Sequence, residues 1–293
     1  MNWVNLCKGG KNMSKENDQV WFITGANKGL GAAIAKEALD KGYKVVATAR
    51  KPEGMKKTLG NSPNLLTVKL DITDDELVKS SVDAALEKFG HIDVLVNNAG
   101  YGLVGYFEEI SEKLIRQHIE TNVLGTMKIT RAVLPFMRKQ GSGWIIVTSS
   151  TSGIRAVEGN ALYSASKFAL EGWTEGMNID LKPFGIRCMI IEPGAFRTDF
   201  FNEKTSLNLS DIEIDDYKKR REALQENSLT WHQKQPGDPA KLAKALMIAL
   251  NSPNPPLRLL VGNAAVDAID NYLKERRLEF EAWREVSAST DFD

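Results

Sequence analysis

Seven short apolar runs alternate with longer stretches of helical period along this chain. Most runs are continuous rather than alternating in polarity, which is typical of strands covered on both faces. Repetition of strand, helix and strand predicts an α/β protein: a doubly wound parallel sheet of about seven strands with helices on both faces. The predicted strands are 20–24, 43–49, 65–70, 93–97, 144–148, 187–192 and 257–261, and the predicted helices are 30–41, 74–89, 112–139, 163–182 and 238–251.

The composition excludes several classes of protein. Lys plus Arg number 38 and Asp plus Glu number 38, so the basic surplus of a nucleic-acid-binding protein is absent. Cys7 and Cys188 are the only cysteines, and His91, His118 and His232 are scattered, so neither a disulfide framework nor a metal site is expected. Few cysteines and no apolar signal or membrane segment predict a cytoplasmic protein with no membrane partner.

A glycine-rich loop joins the first predicted strand to the first predicted helix. Glycines at such a turn let the backbone approach a pyrophosphate, and the helix N-terminus offers free N–H groups and a favourable dipole. The spacing is GxxxGxG, and a tight structural turn is the alternative interpretation. The candidate cofactor-binding residues of this loop are Gly25, Asn27, Lys28, Gly29, Leu30 and Gly31.

A second glycine motif, GxGxxG, occupies Gly100 to Gly105. It follows the fourth predicted strand, and the acidic residue about twenty positions later, Glu120, falls inside a predicted helix rather than at a strand end. We therefore interpret this loop as an edge of the cofactor cleft and not as the pyrophosphate cradle.

Basic residues follow the second predicted strand, where an NAD-binding domain places a carboxylate for the ribose. Here that strand ends in Ala49-Arg50-Lys51, and Lys28 adds a cation from the glycine loop. Arg50 and Lys28 suit the doubly charged 2′-phosphate of NADP, so NADP(H) is predicted in preference to NAD(H). The alternative is that Arg50 and Lys51 are solvated loop charges.

Tyr163 and Lys167 lie four residues apart in a predicted helix, and therefore on one face. A phenol has a reference pKa near 10, and a nearby ammonium is expected to lower it towards the range useful in acid–base chemistry. Hydride transfer to a carbonyl requires such a proton donor. Ser150 follows the strand 144–148, where its hydroxyl could hold a substrate oxygen; a structural strand-end hydroxyl is the alternative.

Together these motifs resemble the short-chain dehydrogenase/reductase family, over about residues 20–265. The resemblance is to its compact, single-domain oxidoreductase branch, which has a Rossmann-type fold. The matching motifs, in family order and spacing, are TGANKGLG, NNAG at 97–100, Asn122 in TNVLG, SS at 149–150, YSASK at 163–167 and PGAFRT at 193–198.

The resemblance implies a catalytic role for four residues. Tyr163 would be the acid/base, Lys167 would lower its pKa and bind the nicotinamide ribose, and Ser150 would orient the substrate carbonyl. Asn122 would anchor the water of a proton relay, although a simple helix-interior amide is an alternative. Further cofactor contacts implied by the family are Asp71 and Ile72 at the adenine, Asn98, Ala99 and Gly100 along the cleft, and Pro193, Gly194 and Thr198 over the nicotinamide.

The resemblance also defines a domain organisation. Residues 1–19 are expected to be a flexible leader, with Met13 as an alternative start that leaves 1–12 functionally silent. Residues 20–265 form a single dinucleotide-binding catalytic domain with a lid-like insertion at about 196–235, and 266–293 form a C-terminal helix and tail. The family implies a homodimer or homotetramer assembled through the helices at 112–139 and 163–182.

The substrate pocket is expected between residues 153–162 and the insertion. Aromatic residues of the insertion favour an apolar or bulky carbonyl or alcohol substrate, although such residues equally often serve packing. They are Phe196, Phe200, Phe201 and Trp231. The chain is thus predicted to be an NADP(H)-dependent oxidoreductase related to steroid or retinol dehydrogenases. A dinucleotide-sensing regulator without turnover is the alternative, and an isomerase or dehydratase is disfavoured by the GxxxGxG spacing.

Overall fold

A seven-stranded, fully parallel sheet forms the centre of the computed structural model, which describes residues 18–202 and 206–292. Its strands are β1 (Val20–Thr24), β2 (Lys44–Ala49), β3 (Leu65–Lys69), β4 (Val94–Asn97), β6 (Gly143–Thr148), β7 (Ile186–Pro193) and β9 (Arg258–Val261), and two short strands, β5 (Gly102–Val104) and β8 (Leu207–Leu209), pair separately. The strand order β3-β2-β1-β4-β6-β7-β9 confirms the predicted doubly wound α/β sheet.

Helices cover both faces of the sheet, as its continuous apolar strands require. They are α1 (Gly29–Asp40), α2 (Met55–Leu59), α3 (Asp75–Phe89), α4 (Glu112–Ile119), α5 (Thr126–Gln140), α6 (Ala161–Asp180), α7 (Lys218–Thr230), α8 (Pro239–Leu250), α9 (Asn263–Ala282) and α10 (Arg284–Ala288). Alternate residues of β1 show why. Trp21 and Ile23 pack in one apolar cluster with α1 and α8, whereas Val20 and Phe22 pack in another with α3, α5 and α6.

The strand order reverses between β1 and β4. From β1 the chain moves outwards to β2 and β3, then crosses back to pair β4 with the free side of β1, with Trp21 beside Val94. Connections on the two sides of this point leave in opposite directions, which opens a crevice at the carboxyl ends of the strands. The predicted glycine loop and the NNAG segment both lie there.

The predicted helix 112–139 is interrupted. Residues Glu120–Gly125 form a π-helical turn between α4 and α5. Gly125 lies against Ile72, and a Cβ at this position would stand 2.8 Å from Ile72 Cγ1, so the backbone approaches the sheet too closely for another residue. The turn places Asn122 beside the crevice, where its side chain bonds to the backbone of Tyr101, which fits the tendency of π-turns to occur at functional sites.

The insertion at 196–235 joins the main body through a two-stranded parallel sheet, in which β8 pairs with β5. The GxGxxG glycines explain the close fit. A Cβ on Gly102 would lie 3.0 Å from the Phe200 ring, and one on Gly105 would lie 2.5 Å from Ser210 Cβ. The GxGxxG glycines therefore leave room for the insertion. The glycine loop that suits a pyrophosphate lies instead between β1 and α1.

A buried ion pair also fastens the insertion. Arg221 of α7, 7% exposed, contacts the fully buried Glu109 through its guanidinium. The same carboxylate accepts a hydrogen bond from the Ile214 backbone N–H at 3.0 Å. A buried pair of this kind costs much free energy when one partner alone is removed.

The C-terminal region, predicted as a helix and tail at 266–293, contains two helices, α9 and α10, separated by Trp283. Only Ala265 and Ile269 of α9 are buried, and much of the rest projects from the body. The expected leader, residues 1–19, lies outside the described residues except for Asp18 and Gln19. No helix within 18–202 or 206–292 has the length and apolar character that crossing a bilayer requires.

Arg221→Ala should destabilise the protein more than Arg220→Ala. The Arg221→Ala substitution leaves Glu109 buried without its counter-charge, which lowers the free energy of unfolding by about 3 kcal/mol or more. Arg220, the adjacent residue, pairs with exposed Glu158, and solvent screening leaves such a surface contact with little net effect on stability. Urea denaturation followed by circular dichroism measures both. Equal losses in the free energy of unfolding would contradict the structural role assigned to Arg221.

Candidate active site

A cavity of about 1290 Å³ opens at the carboxyl ends of the strands. The glycine loop forms one end of it, and the insertion forms the other. Every residue that the sequence analysis proposed for cofactor binding or catalysis lines this cavity except Gly31 and Asn122, which lie directly behind its wall.

The glycine loop has the shape that a pyrophosphate cradle requires. Gly25 and Gly29 adopt φ values of +66° and +58°, which favour glycine. A Cβ on Gly31 would lie 2.4 Å from the Gly25 carbonyl oxygen, so only glycine fits there. Lys28 precedes α1 without a side-chain cap, and the N–H groups of the first turn are left for an anion. Asn27 and Leu30 complete this wall of the cavity.

The NNAG segment fixes the loop. The Asn98 side chain donates to the carbonyl oxygens of Thr24 and Gly25, at 3.1 and 3.2 Å. In return, the Thr24 hydroxyl accepts the backbone N–H groups of Asn98 and Ala99, at 2.9 and 3.0 Å. The ends of β1 and β4 are thus tied together across the crevice. Gly100 follows, and a Cβ there would approach Asn122 Oδ1 to 3.2 Å.

Two cations lie at the end of the cavity that the glycine loop forms. Arg50 follows β2, and Lys28 projects from the glycine loop. Burial lowers the pKa of Lys28, Asp199 acts in the opposite direction, and the charge of Arg50 lowers it further, so the two cations lie close enough to repel each other. An anion bound between them would relieve that repulsion.

Asp71 and Ile72 form the floor beside these cations. The Asp71 carboxylate accepts hydrogen bonds from the backbone and hydroxyl of Thr73, at 3.0 and 2.8 Å. Ile72 is buried beneath Gly125. Both residues line the cavity, with Asp71 held in place by its own turn.

Tyr163 and Lys167 project from α6 into the centre of the cavity, one turn apart. Lys167 Nζ lies 5.7 Å from the centre of the Tyr163 ring and donates to the carbonyl oxygen of Thr148 at 2.8 Å. Ser150 caps the short turn Thr151–Gly153, where its hydroxyl accepts the backbone N–H of Ser152 at 3.1 Å. Three chemically active side chains therefore face one space.

The electrostatics of this group differ from the sequence-based expectation. Burial raises the pKa of Tyr163 to about 12, and the hydroxyl of Ser150 opposes the rise. Burial also lowers the pKa of Lys167 to about 8, against the charge of Glu171. The phenol pKa is therefore raised rather than lowered as the sequence predicted, because desolvation dominates and Ser150 is the group that opposes it; the phenol is protonated at neutral pH.

Asn122 is held rigidly behind the cavity. Its side-chain oxygen accepts the backbone N–H of Tyr101 at 3.1 Å, and its amide donates to the Tyr101 carbonyl at 2.9 Å. His118, which the sequence analysis did not connect with the site, lies one turn earlier with Nε2 3.2 Å from Asn122 Nδ2 and 3.2 Å from the Ser166 hydroxyl. Burial and the charge of Lys167 lower the pKa of His118 to about 4, so it is neutral.

Pro193 ends β7, Gly194 and Thr198 follow it, and all three line the cavity between the two ends. Gly194 packs against α9, since a Cβ there would lie 2.7 Å from Ala265 Cβ. The Thr198 hydroxyl accepts the backbone N–H of Phe200 at 3.2 Å, and its methyl group contacts Gly29. This segment therefore connects the glycine loop with the insertion.

The aromatic residues of the insertion divide into two groups. Phe196 is 8% exposed and packs against Gly237 and the core, so its main contribution is structural. Phe200 lies 5.7 Å from the Tyr163 ring and 5.5 Å from Phe201, both distances between ring centres. Trp231 is half exposed at the rim. Val157, Glu158 and Asn160, from the predicted segment 153–162, line the facing wall, as do Leu224, Asn227 and Ser228 of α7.

Over the residues that the structure describes, no group of three or more His, Cys, Asp or Glu side chains could hold a metal ion.

Comparisons with known proteins agree with this architecture. The short chain dehydrogenase family profile matches residues 19–208. Oxidoreductase BOA17 of Botryotinia fuckeliana is 35% identical over 93% of this chain and 99% of its own length. The crystal structure of a short-chain dehydrogenase from Streptomyces avermitilis is 41% identical, with a TM-score of 0.85 over 94% of this chain and 99% of that one.

A further solved structure contains a nicotinamide cofactor. The 3-ketoacyl-(acyl-carrier-protein) reductase of Brucella melitensis, complexed with NADH, is 27% identical, with a TM-score of 0.69 over 84% of this chain and 98% of that one. With the strand order, the glycine turn and the matched profile, these similarities establish what the chain is: an oxidoreductase of the short-chain dehydrogenase/reductase family.

Proposed function

We propose that the protein is an NADP(H)-dependent oxidoreductase that interconverts a carbonyl compound and a secondary alcohol. One observation carries the proposal: Tyr163, Lys167 and Ser150 face the cavity whose other end is the glycine cradle. Gly25 and Gly29 line the cavity at that turn and have positive φ values, so the backbone there is open to a pyrophosphate. Residues from the glycine loop and the ends of β2, β4 and β7 would hold the dinucleotide, which supplies or accepts the hydride when bound.

Each side chain has a definite task in reduction. The Tyr163 hydroxyl donates its proton to the carbonyl oxygen, and its raised pKa keeps that proton in place at neutral pH. Ser150 orients the carbonyl by donating a hydrogen bond to the same oxygen. Lys167, fixed by the Thr148 carbonyl, stabilises negative charge as the phenol loses its proton. Asn122 anchors the relay that returns a proton to Tyr163, the role implied by the family.

The substrate end favours an apolar or bulky carbonyl compound. Phe200, Phe201 and Leu224 form an apolar wall close to Tyr163, and Asn227 and Ser228 add polar groups farther along α7. A large apolar pocket with few polar groups is typical of such ligands. The similar Brucella melitensis protein is a 3-ketoacyl-(acyl-carrier-protein) reductase, which also supports carbonyl chemistry in this fold.

Tyr163→Phe should abolish turnover while preserving cofactor binding. Loss of a general acid costs about 100- to 10,000-fold in rate, and the ring that packs against Phe200 remains. NADPH consumption is measured against quinones, aromatic aldehydes and ketosteroids, and NADPH binding is measured by calorimetry. A variant that retains wild-type turnover would refute the role of Tyr163. Binding without turnover of any compound by the wild type would favour a dinucleotide-sensing regulator.

Arg50→Ala should weaken NADPH binding about 10-fold or more and leave NADH binding nearly unchanged. The reason is that charge-assisted hydrogen bonds to the 2′-phosphate contribute roughly 1.5–3 kcal/mol, and NADH has no such phosphate. Lys57→Ala on α2, outside the cavity, is the matched control for loss of one nearby positive charge. Equal losses for both dinucleotides would show that Arg50 does not recognise the 2′-phosphate.

We also propose a cytoplasmic homodimer or homotetramer that assembles through α4, α5 and α6. On α6, Phe168 and Ile179 are exposed at 43% and 69%, and the intervening Gly172 and Gly176 leave room beside them. A smooth apolar face of this kind suits packing against a second copy of the helix.

Ile179→Glu should therefore reduce the molar mass in solution, because a charge would be buried in the interface. Ile248→Glu on α8 is the control, since Ile248 is equally exposed at 72%. Light scattering after gel filtration gives the masses. A monomeric wild type, or a mass unchanged by Ile179→Glu, would contradict assembly through α6.

A further inference from the structure

A buried cluster of charged groups lies beneath the proposed catalytic lysine, on the side away from the cavity. Glu171 of α6 and Glu192 of β7 are 6% and 3% exposed. Arg258 of β9 joins them: its Nε lies 3.0 Å from Glu171 Oε2 and 3.6 Å from Glu192 Oε1. Its Nη2 extends outwards to Glu175 Oε2, at 2.6 Å, where the cluster reaches solvent.

Glu171 connects this cluster to the site. It lies four residues after Lys167 on the same face of α6, and the two charges act on each other. Its side-chain stem also supports the turn that bears Ser150, because a Cβ on Gly153 would lie 3.1 Å from Glu171 Cγ and 2.5 Å from Ser149 Oγ. Glu171 thus lies one helical turn from the lysine, and its stem packs against the turn that bears the serine.

The cluster contains more carboxylates than cations, and burial affects which carboxylate is ionised. Burial and the neighbouring charge of Glu171 raise the pKa of Glu192 to about 7. Burial also raises the pKa of Glu171, but the Ser149 hydroxyl, Arg258 and Lys167 all favour its ionised form. The surroundings therefore favour the ionised form of Glu171 more than that of Glu192, which the charge of Glu171 opposes.

We propose that Glu171 is a positioning residue, whose buried carboxylate keeps Lys167 charged and in place for the reaction. The inference rests on the proposed function for the role of Lys167 and goes beyond it, since Glu171 touches neither the cavity nor the reacting groups.

The need for a counter-charge follows from the surroundings of Lys167. Burial already lowers its pKa to about 8, and Glu171 is the group that opposes this effect. The other titratable groups near it, Tyr163 and His118, are neutral at pH 7, the first because its pKa is raised and the second because its pKa is lowered to about 4. Without Glu171, the pKa of Lys167 falls towards neutrality, and the charged fraction is lost as pH rises through that lower value.

The test is the titration of Lys167 in Glu171→Gln. The ¹³Cε resonance of Lys167 in ¹³C-lysine-labelled full-length protein, assigned by its loss in Lys167→Arg, reports the midpoint directly. The expected midpoint falls by about one pH unit or more, the effect that an opposite charge a few ångströms away exerts. The high-pH limb of kcat in the reduction direction moves down in parallel, because fewer molecules hold a charged lysine.

Glu175→Gln is the matched control, because Glu175 shares Arg258 but lies one turn farther from Lys167 and is exposed. It should leave the Lys167 midpoint and the pH limb at their wild-type positions. A Glu171→Gln midpoint equal to that of Glu175→Gln would overturn the proposal.

A second variant keeps the test decisive if Glu171→Gln fails to fold. Glu171→Asp retains the charge but withdraws it by one methylene, so the Lys167 midpoint should lie below that of the wild type; an unchanged midpoint would overturn the proposal.

Failure of the proposed function is distinguishable, since a wild type that reduces no carbonyl compound still yields a Lys167 titration. The Lys167 resonance tests the positioning role of Glu171, and turnover tests the proposed oxidoreductase function.

Discussion

The bridge between the ends of β1 and β4 is the interaction on which the rest of the site depends. The Asn98 amide holds the carbonyl groups of Thr24 and Gly25, while the Thr24 hydroxyl holds the backbone of the NNAG segment. These bonds satisfy buried polar groups at the point where the strand order reverses, and their loss would leave those groups unpaired. They also set the distance at which the glycine loop faces the remainder of the cavity.

The same crevice is closed on its far side by the insertion, which is anchored by backbone pairing and by buried charge. β8 extends from β5, directly after the NNAG segment, and Arg221 secures α7 against Glu109. The wall that faces Tyr163 is consequently part of the folded body. The proposed substrate wall and the proposed cofactor cleft thus meet on one chain segment, Gly100–Gly105, whose glycines leave room for the insertion.

Burial gives the central groups their properties. Tyr163 and Lys167 are both withdrawn from water, which favours the neutral phenol and opposes the charged ammonium. A protonated phenol suits reduction, but a discharged lysine would not. The carboxylate of Glu171, held by Arg258, counteracts the loss of charge from Lys167. The site therefore depends on residues of β7 and β9 that do not line the cavity.

Local sequence predicted the regular elements well, because apolar runs and turn glycines act over a few residues. β1 was predicted at its observed bounds, and the glycine turn, Tyr163 and Lys167 were all found on one cavity. The π-turn at Glu120–Gly125 was missed, since no local pattern marks it and the close approach of Gly125 to Ile72, which is distant in sequence, becomes visible only in the fold. Glu171 and His118 were missed for a related reason: a single acid or histidine in a helix has no distinctive pattern until the fold supplies its neighbours.

Hydride transfer from NADPH that carries deuterium at the reactive C4 position tests the account most directly. The protein is incubated with that cofactor and the carbonyl panel, and the products are analysed by mass spectrometry and NMR. The account predicts an alcohol with one deuterium on its carbinol carbon and with its hydroxyl proton drawn from solvent. An alcohol without deuterium on that carbon, or no alcohol from any compound while NADPH binds, would contradict it.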